Sequence, residues 1–283
     1  MASLRSDHHI HMVLDGVDWK QAIARHKEKT DTKWVHSVLK FYQDKGYTYL
    51  RDGGDKWGVS YYARSAAGDY GITYRTPLAP ISRKGNYGGF IGAQYEDLQD
   101  YARLVRQHRQ NGADFIKIMI SGLMDFDRFG VLSQEGLPQP EIRELIHIAH
   151  EEGFSVMAHA NGARTVQAAA EAGVDSVEHG AYLDTDALSA MEAAGTVWVP
   201  TVSTVGNLRG TGRFDENAVR QILDSALENI NKFINMGGLV ATGTDAGAWA
   251  VPHGVDTEYP LLQQAGVPDE ILTRADAEIK RKF

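Results

Sequence analysis

The residues from Asp7 to His11 read Asp-His-His-Ile-His, three imidazoles and one carboxylate within five positions. Imidazole is the commonest metal-ligating side chain in proteins. In an extended chain successive side chains point to opposite faces, so His9 and His11 share one face and His8 takes the other. Two imidazoles on one face of a strand can grip one divalent cation. A purification tag would be an unbroken run, and Ile10 interrupts this one. A surface patch or ordinary core histidines remain open readings for this stretch alone.

Four further residues sit where polar groups are awkward. Lys117 lies inside the apolar run Phe115–Ile120, with Phe115 and Met119 on its own face. A buried ammonium is costly without a partner. It either pairs with a carboxylate, reaches for the surface, or turns neutral and takes up carbon dioxide as an anionic carbamate that can bridge two metals. His159 and His179 each end an apolar run and meet a loop of small residues. Asp245 ends the run "GLVATGTD". Its bland reading is a helix N-cap, and its chemical reading is a metal-bound carboxylate beside a reactive water.

These residues need elements to hold them. Short β-rich runs alternate with amphipathic helical patterns along the chain. Strands are expected at Leu4–His11, Tyr47–Asp52, Ile72–Ile81, Phe115–Ser121, Ser155–His159, Ser176–His179, Val197–Val202 and Val240–Asp245. Helices are expected over Asp18–Asp44 with a break near Thr30–Thr32, then Val59–Ala67, Tyr95–Gln110, Gln139–Glu152, Ala163–Ala172, Thr185–Ala194 and Glu216–Met236. A last helical stretch covers Thr257–Lys282, broken near Pro268. Glycine follows many of the helices, as a C-terminal stop should. Strand and helix alternating through 283 residues predict an α/β fold, a (β/α)8 TIM barrel occupying residues 1–283 as one domain. A doubly wound sheet is the rival, but no G-x-G-x-x-G follows an early strand. In a barrel the loops after the strands line the active face.

Composition narrows the chemistry. The chain has no cysteine, so thiolate sites and disulfides are excluded and any metal must sit on nitrogen and oxygen. A net charge of −8 argues against a nucleic-acid binder and offers no polybasic membrane patch. No signal-like or membrane-length apolar run is present, so cytoplasmic is the default expectation.

The ordered set His9, His11, Lys117, His159, His179 and Asp245 resembles the amidohydrolase superfamily, which carries such ligands on strands one, four, five, six and eight of a (β/α)8 barrel. The words "VMAHANGARTVQAAAEAGVDSVEHGAYLD" and "ATGTDAGAWAVPHG", together with "YLRDGG" near Asp52, are similar to its imidazolonepropionase-like and Xaa-Pro-dipeptidase-like branch. The resemblance implies two divalent cations, zinc by default, with manganese, iron or cobalt also suited to such ligands. His9, His11 and Asp245 would hold the more buried one. His159 and His179 would hold the more exposed one, with a carboxylated Lys117 bridging. It implies hydrolysis of a linear or cyclic C–N amide bond by a water made acidic between the cations, Asp245 serving as general base and then acid. Many relatives add a β-sandwich built from chain before the first strand and after the last helix. Few residues precede Asp7, so the sandwich is expected to be absent.

Substrate contacts are expected from the strand-end loops. Arg83, Lys84 and Tyr87 could hold an anionic group, with Asn161, Tyr182, Arg213 and His253 in comparable places and Trp249 as a wall. The expected partner is a small molecule, an N-acyl amino acid or dipeptide, and a homo-oligomer is possible; neither nucleic acid nor membrane is expected. Three rivals stand: a lactonase or phosphotriesterase on the same ligands, a non-catalytic metal-holding barrel, and a metal-free sugar- or phosphate-binding barrel.

Overall fold

A computed structural model describes residues 5–283, so Leu4, the expected start of the first strand, lies outside the described residues. Nine strands alternate with helices among the described residues. β1 (Arg5–Ile10) is followed by α1 (Trp19–His26) and α2 (Thr32–Asp44), split where the sequence predicted. Asp18 and Asp31 cap their free N–H groups. β2 (Tyr47–Asp52) and α3 (Val59–Ala67) match their predicted bounds.

The expected strand Ile72–Ile81 is instead two short pieces, β3 (Thr73–Arg75) and β4 (Ile81–Arg83). Pro77 and Pro80 lie between them and cannot donate to a ladder, so the chain changes partner there. A strand absent from the sequence reading, β5 (Ala93–Tyr95), takes Tyr95 from the expected helix, and α4 begins at Leu98 (Leu98–Gln110). β6 (Ile116–Met119), α5 (Gln139–Glu151), β7 (Val156–Ala160), α6 (Ala163–Glu171), β8 (Ser176–His179) and α7 (Thr185–Ala194) follow the expected order. β9 (Val197–Val199) is shorter than expected, because the chain turns into α8 (Ser203–Gly206). α9 (Glu216–Asn235), α10 (Glu258–Gln264) and α11 (Asp269–Lys282) close the chain, the last two separated around Pro268.

All the strand pairs are parallel. They form one sheet in the order β1-β2-β3 and another in the order β5-β4-β6-β7-β8-β9. The expected strand Val240–Asp245 forms no ladder of its own, only isolated parallel bridges from Val240 to Trp198 and from Ala246 to Ile10. Its backbone still links the two sheets. Trp198 N–H donates to Leu239 O (2.9 Å) on the β9 side, while His8 N–H donates to Thr242 O (3.0 Å) on the β1 side.

Each strand divides its side chains by parity. Ile116, Ile118, Val156, Ala158 and Val177 face the helices in the main core. Phe115, Met157, Val197, Val199 and Ala241 face the other way and meet Ala275, Ile279 and Phe283 of the C-terminal segment. That second group forms an apolar floor at the N-terminal ends of the strands. Among the described residues no helix is long and apolar enough to cross a membrane.

Candidate metal centre

The C-terminal ends of the strands bring the sequence-predicted ligands together. His9 (β1), Lys117 (β6), His159 (β7), His179 (β8), His11 just after β1, and Asp245 are all buried or nearly so. His9 Nε2 and His11 Nε2 lie 3.5 and 3.3 Å from Asp245 Oδ1. One atom from each of these three residues falls within 4.8 Å of the others. His179 joins the wall, its ring 5.2 Å from that of His9 and 4.5 Å from that of His159. His159 and His179 are neighbours but stand outside the three-residue group. Lys117 makes no carboxylate pair; its Nζ lies 2.9 Å from His9 Nε2. His8 faces away, as parity requires, toward Tyr49 and Asp276.

Strict alternation cannot deliver His179, because Val177, two residues earlier, packs against the helices. The backbone at His179 adopts φ 68° and turns the imidazole inward. Asp245 at φ 58° and Thr201 at φ 50° share this left-handed region, unusual for non-glycine residues and most costly for a β-branched one. Thr201 uses its position: its Oγ1 lies 2.7 Å from His179 Nδ1. Trp198 Nε1–H donates to His179 O (2.9 Å).

Several positioning residues were invisible as such in the sequence. Glu178 Oε2 accepts from His9 Nδ1–H at 2.7 Å, and its other oxygen accepts from Arg51 (2.8 Å) and Ser176 (2.6 Å). A carboxylate only accepts, so this bond puts the His9 proton on Nδ1 and leaves the Nε2 lone pair facing the site. Arg51 also donates to His8 O (2.7 Å) and lies over the Phe283 ring at 4.4 Å. Asp7 accepts from His9 N–H (3.2 Å) and from both the N–H (2.9 Å) and the hydroxyl (2.6 Å) of Thr244, tying β1 to the segment that carries Asp245. Asp52 accepts from Met12 N–H (3.3 Å) and from Tyr74 OH, fixing the chain just past His11. Gly53 leaves the space that the site needs. A Cβ there would strike the His11 ring and come within 2.6 Å of Lys117 Nζ.

Burial sets the charge states. It pushes the Lys117 amine down to about 8, against the pull of Asp245 and Glu178. It lowers His9 and His159 well below the usual imidazole value and His179 to about 4, so these rings are neutral donors of lone pairs. Burial alone would raise Asp245, but His9, His11 and His179 outweigh it and hold the carboxyl below its usual range.

Whether a cation fits can be judged from this chain. Asp245 Oδ1 and His11 Nδ1 are buried without a hydrogen-bond partner. An anionic oxygen facing two imidazole nitrogens, with no hydrogen bond joining them, is a donor set arranged around a cation. Leaving such groups bare costs about 1–3 kcal/mol each. The donors are nitrogen and oxygen, suited to zinc and its neighbours.

The site opens into a cavity of about 430 Å³ whose wall includes Tyr87, Asn161, Arg213 and Trp249. Tyr87 stacks near His159 at 4.9 Å. Asn161 is occupied at both ends, donating to Gly122 O (3.0 Å) and accepting from Ala181 N–H (3.0 Å). The remaining expected contacts are corrected by their surroundings. Arg83 pairs with Glu141 (2.9 Å) and Lys84 with Glu96, and neither borders the cavity. His253 bonds Leu14 O (3.0 Å) and Tyr42 OH (3.1 Å), a structural use of both nitrogens. Tyr182 packs against Phe129, also off the cavity wall. Arg83 ends β4 and the others sit in loops, all turned away from the cavity, which spacing alone cannot distinguish.

The fold is parallel α/β, and the imidazoles and carboxylate clustered at the strand ends could hold a metal ion. The chain belongs to the amidohydrolase family, whose model matches residues 45–267. It is 24% identical to ochratoxinase from Aspergillus niger over 298 aligned residues, covering 92% of this chain and 60% of that protein. The chain thus spans about 60% of the length of that curated relative. The crystal structure of an amidohydrolase is similar at TM-score 0.79 and 22% identity, over 98% of this chain and 74% of the other. A Xaa-Pro dipeptidase crystallised with methionine in its active site is similar at TM-score 0.75 and 23% identity, over 95% and 72%.

Proposed function

We propose that this protein is a metal-dependent hydrolase cleaving a C–N amide bond in a small substrate, an N-acyl amino acid or a dipeptide. The observation that carries the reading is Asp245 Oδ1, buried without a hydrogen bond between His9 Nε2 and His11 Nε2. The names of the similar proteins, an ochratoxinase and a Xaa-Pro dipeptidase, point the same way. We further propose that the strands close as a (β/α)8 barrel forming one domain. The bonds from Leu239 and Thr242 to the two flanking strands support this.

In this reading His9, His11 and Asp245 would hold one cation and His159 and His179 a second, with Lys117 contributing to both. Lowered to about 8, the Lys117 amine is neutral often enough to add to carbon dioxide, forming an N–C bond and releasing a proton. The resulting anion replaces a cationic group with two oxygen donors. Bound divalent cations supply a water of lowered pKa and an electrophile for the carbonyl oxygen. Asp245 would take a proton from that water and pass it to the leaving amine. Glu178 keeps the His9 lone pair aimed inward throughout. The cytoplasmic expectation rests on the sequence alone.

The test is a side-by-side rate comparison on N-acyl amino acids, dipeptides, lactones and a phosphotriester, before and after chelation. Amide hydrolysis that chelation abolishes is expected. Faster turnover of a lactone or phosphotriester would move the assignment to the rival chemistry. No turnover by the metal-loaded protein would favour a non-catalytic barrel.

A further inference from the structure

The cavity above the site has an uneven wall. It is largely apolar, with Trp19, Phe90, Phe126, Phe214 and Trp249 supplying aromatic faces. The one carboxylate on it is Asp245, at the metal end. Apart from Lys117 in the site itself, the one Lys or Arg on it is Arg213.

Arg213 differs from the cations of the neighbouring loops. Arg83 and Lys84 are committed to glutamates, whereas Arg213 makes no side-chain ion pair or hydrogen bond among the described residues. Its guanidinium carbon lies 3.8 Å over the Trp249 ring and 5.4 Å from that of Phe214. A guanidinium stacked on an aromatic face keeps its in-plane N–H groups free for a two-pronged grip on a carboxylate. The loop that carries it is held by other means. Glu216 accepts from Gly210 N–H (3.0 Å), and Asp127 accepts from Asp215 N–H (2.8 Å). Asn207 donates to Ala250 O (2.8 Å), tying this loop to the Trp249 segment. The nearby carboxylates are thus spent on backbone and leave the guanidinium open.

We propose that the substrate is an amide carrying a free carboxylate next to a bulky apolar or aromatic group, and that Arg213, laid on Trp249, reads the carboxylate. The inference rests on the hydrolase reading above and names the substrate class of that site. Arg213 is exposed at the edge of the cavity, so the carboxylate it grips sits at the mouth. The aromatic wall takes the apolar part, and the scissile bond falls between them.

The test is equilibrium binding of N-phenylsulfonyl-phenylalanine, in which a sulfonamide replaces the scissile amide, and of its methyl ester to the zinc-loaded protein by calorimetry. It uses wild type, Arg213→Ala and Arg213→Lys, with thermal unfolding as a check on folding. Wild type is expected to prefer the acid by roughly tenfold or more, the scale of one charge-assisted hydrogen-bonded contact. The acid-to-ester ratio should fall close to one in Arg213→Ala and be held in part by Arg213→Lys. A ratio unchanged in Arg213→Ala, equal binding of acid and ester by wild type, or binding of neither overturns the proposal. Amide turnover without acid preference would sink this inference and keep the hydrolase reading. Acid preference without turnover would do the reverse.

Discussion

The two ends of the strands are built on opposite terms. At the N-terminal ends, Phe115, Met157, Val197 and Val199 pack against Ala275, Ile279 and Phe283. The buried charge nearest that floor, Arg51, is fully used by His8 O, Ser176 and Glu178. At the C-terminal ends, Asp245 Oδ1 and His11 Nδ1 are buried without partners, and His179, Thr201 and Asp245 hold left-handed backbone. The floor has this charge paired, whereas the mouth leaves Asp245 Oδ1 without a hydrogen bond, facing His9 Nε2 and His11 Nε2 in a group that could hold a cation. Unpaired polar groups and backbone strain concentrate where function overrides local preference. A cation binding the folded state alone should therefore stabilise the protein through the mouth and leave the floor indifferent.

Substitutions at each end break that contrast in order of size. If the proposed reading holds, Asp245→Asn lowers turnover by about 10³-fold or more, because the residue would both hold the cation and move the proton. Asparagine tolerates left-handed backbone. The cation-free variant should therefore unfold close to the wild-type temperature, and thermal melts with and without zinc check both halves. Ile279→Ala on the floor should cost ~2–5 kcal/mol of stability, equally with and without cation, as denaturant titrations would read. Gly53→Ala should weaken cation affinity by ~10- to 100-fold, since the added methyl displaces His11 and Lys117 from their aim. Its cation-free stability should fall by ~1–3 kcal/mol, because the buried His11 ring and Lys117 must shift to admit the methyl. Arg83→Ala, an exposed pair with Glu141, should cost less than ~1 kcal/mol and leave cation affinity alone.

The contrast also explains what the sequence discloses. The helices were legible because apolar stripes mark their faces and glycines follow many of them; Asp18, Asp31, Asp184 and Asp215 turn out to cap their starts. The strands Tyr47–Asp52 and Ser176–His179 were legible as β-rich runs between such helices. Pro77 and Pro80 gave warning of the break in Ile72–Ile81, but β5 is a short edge piece with no pattern of its own. His9, His11, Lys117, His159, His179 and Asp245 stood out because imidazole, amine and carboxylate end or interrupt apolar runs. Glu178, Arg51 and Thr201 did not. Their polarity matters only through cross-strand partners, and no local pattern records a bond between residues 9 and 178. The loop contacts were hardest: Arg83 and Arg213 look alike in sequence, and only the positions of Glu141 and Trp249 separate them.

The proposed function turns on two cations sharing the mouth, with Lys117 between them. The most direct measurement is a crystal structure of the zinc-loaded protein at the zinc absorption edge, joined to the intact mass of the Lys117 peptide. The account predicts one cation on His9, His11 and Asp245, a second on His159 and His179, and Lys117 carrying the mass of one carbon dioxide between them. Zinc found away from these side chains, with Lys117 still a free amine against His9, would contradict it.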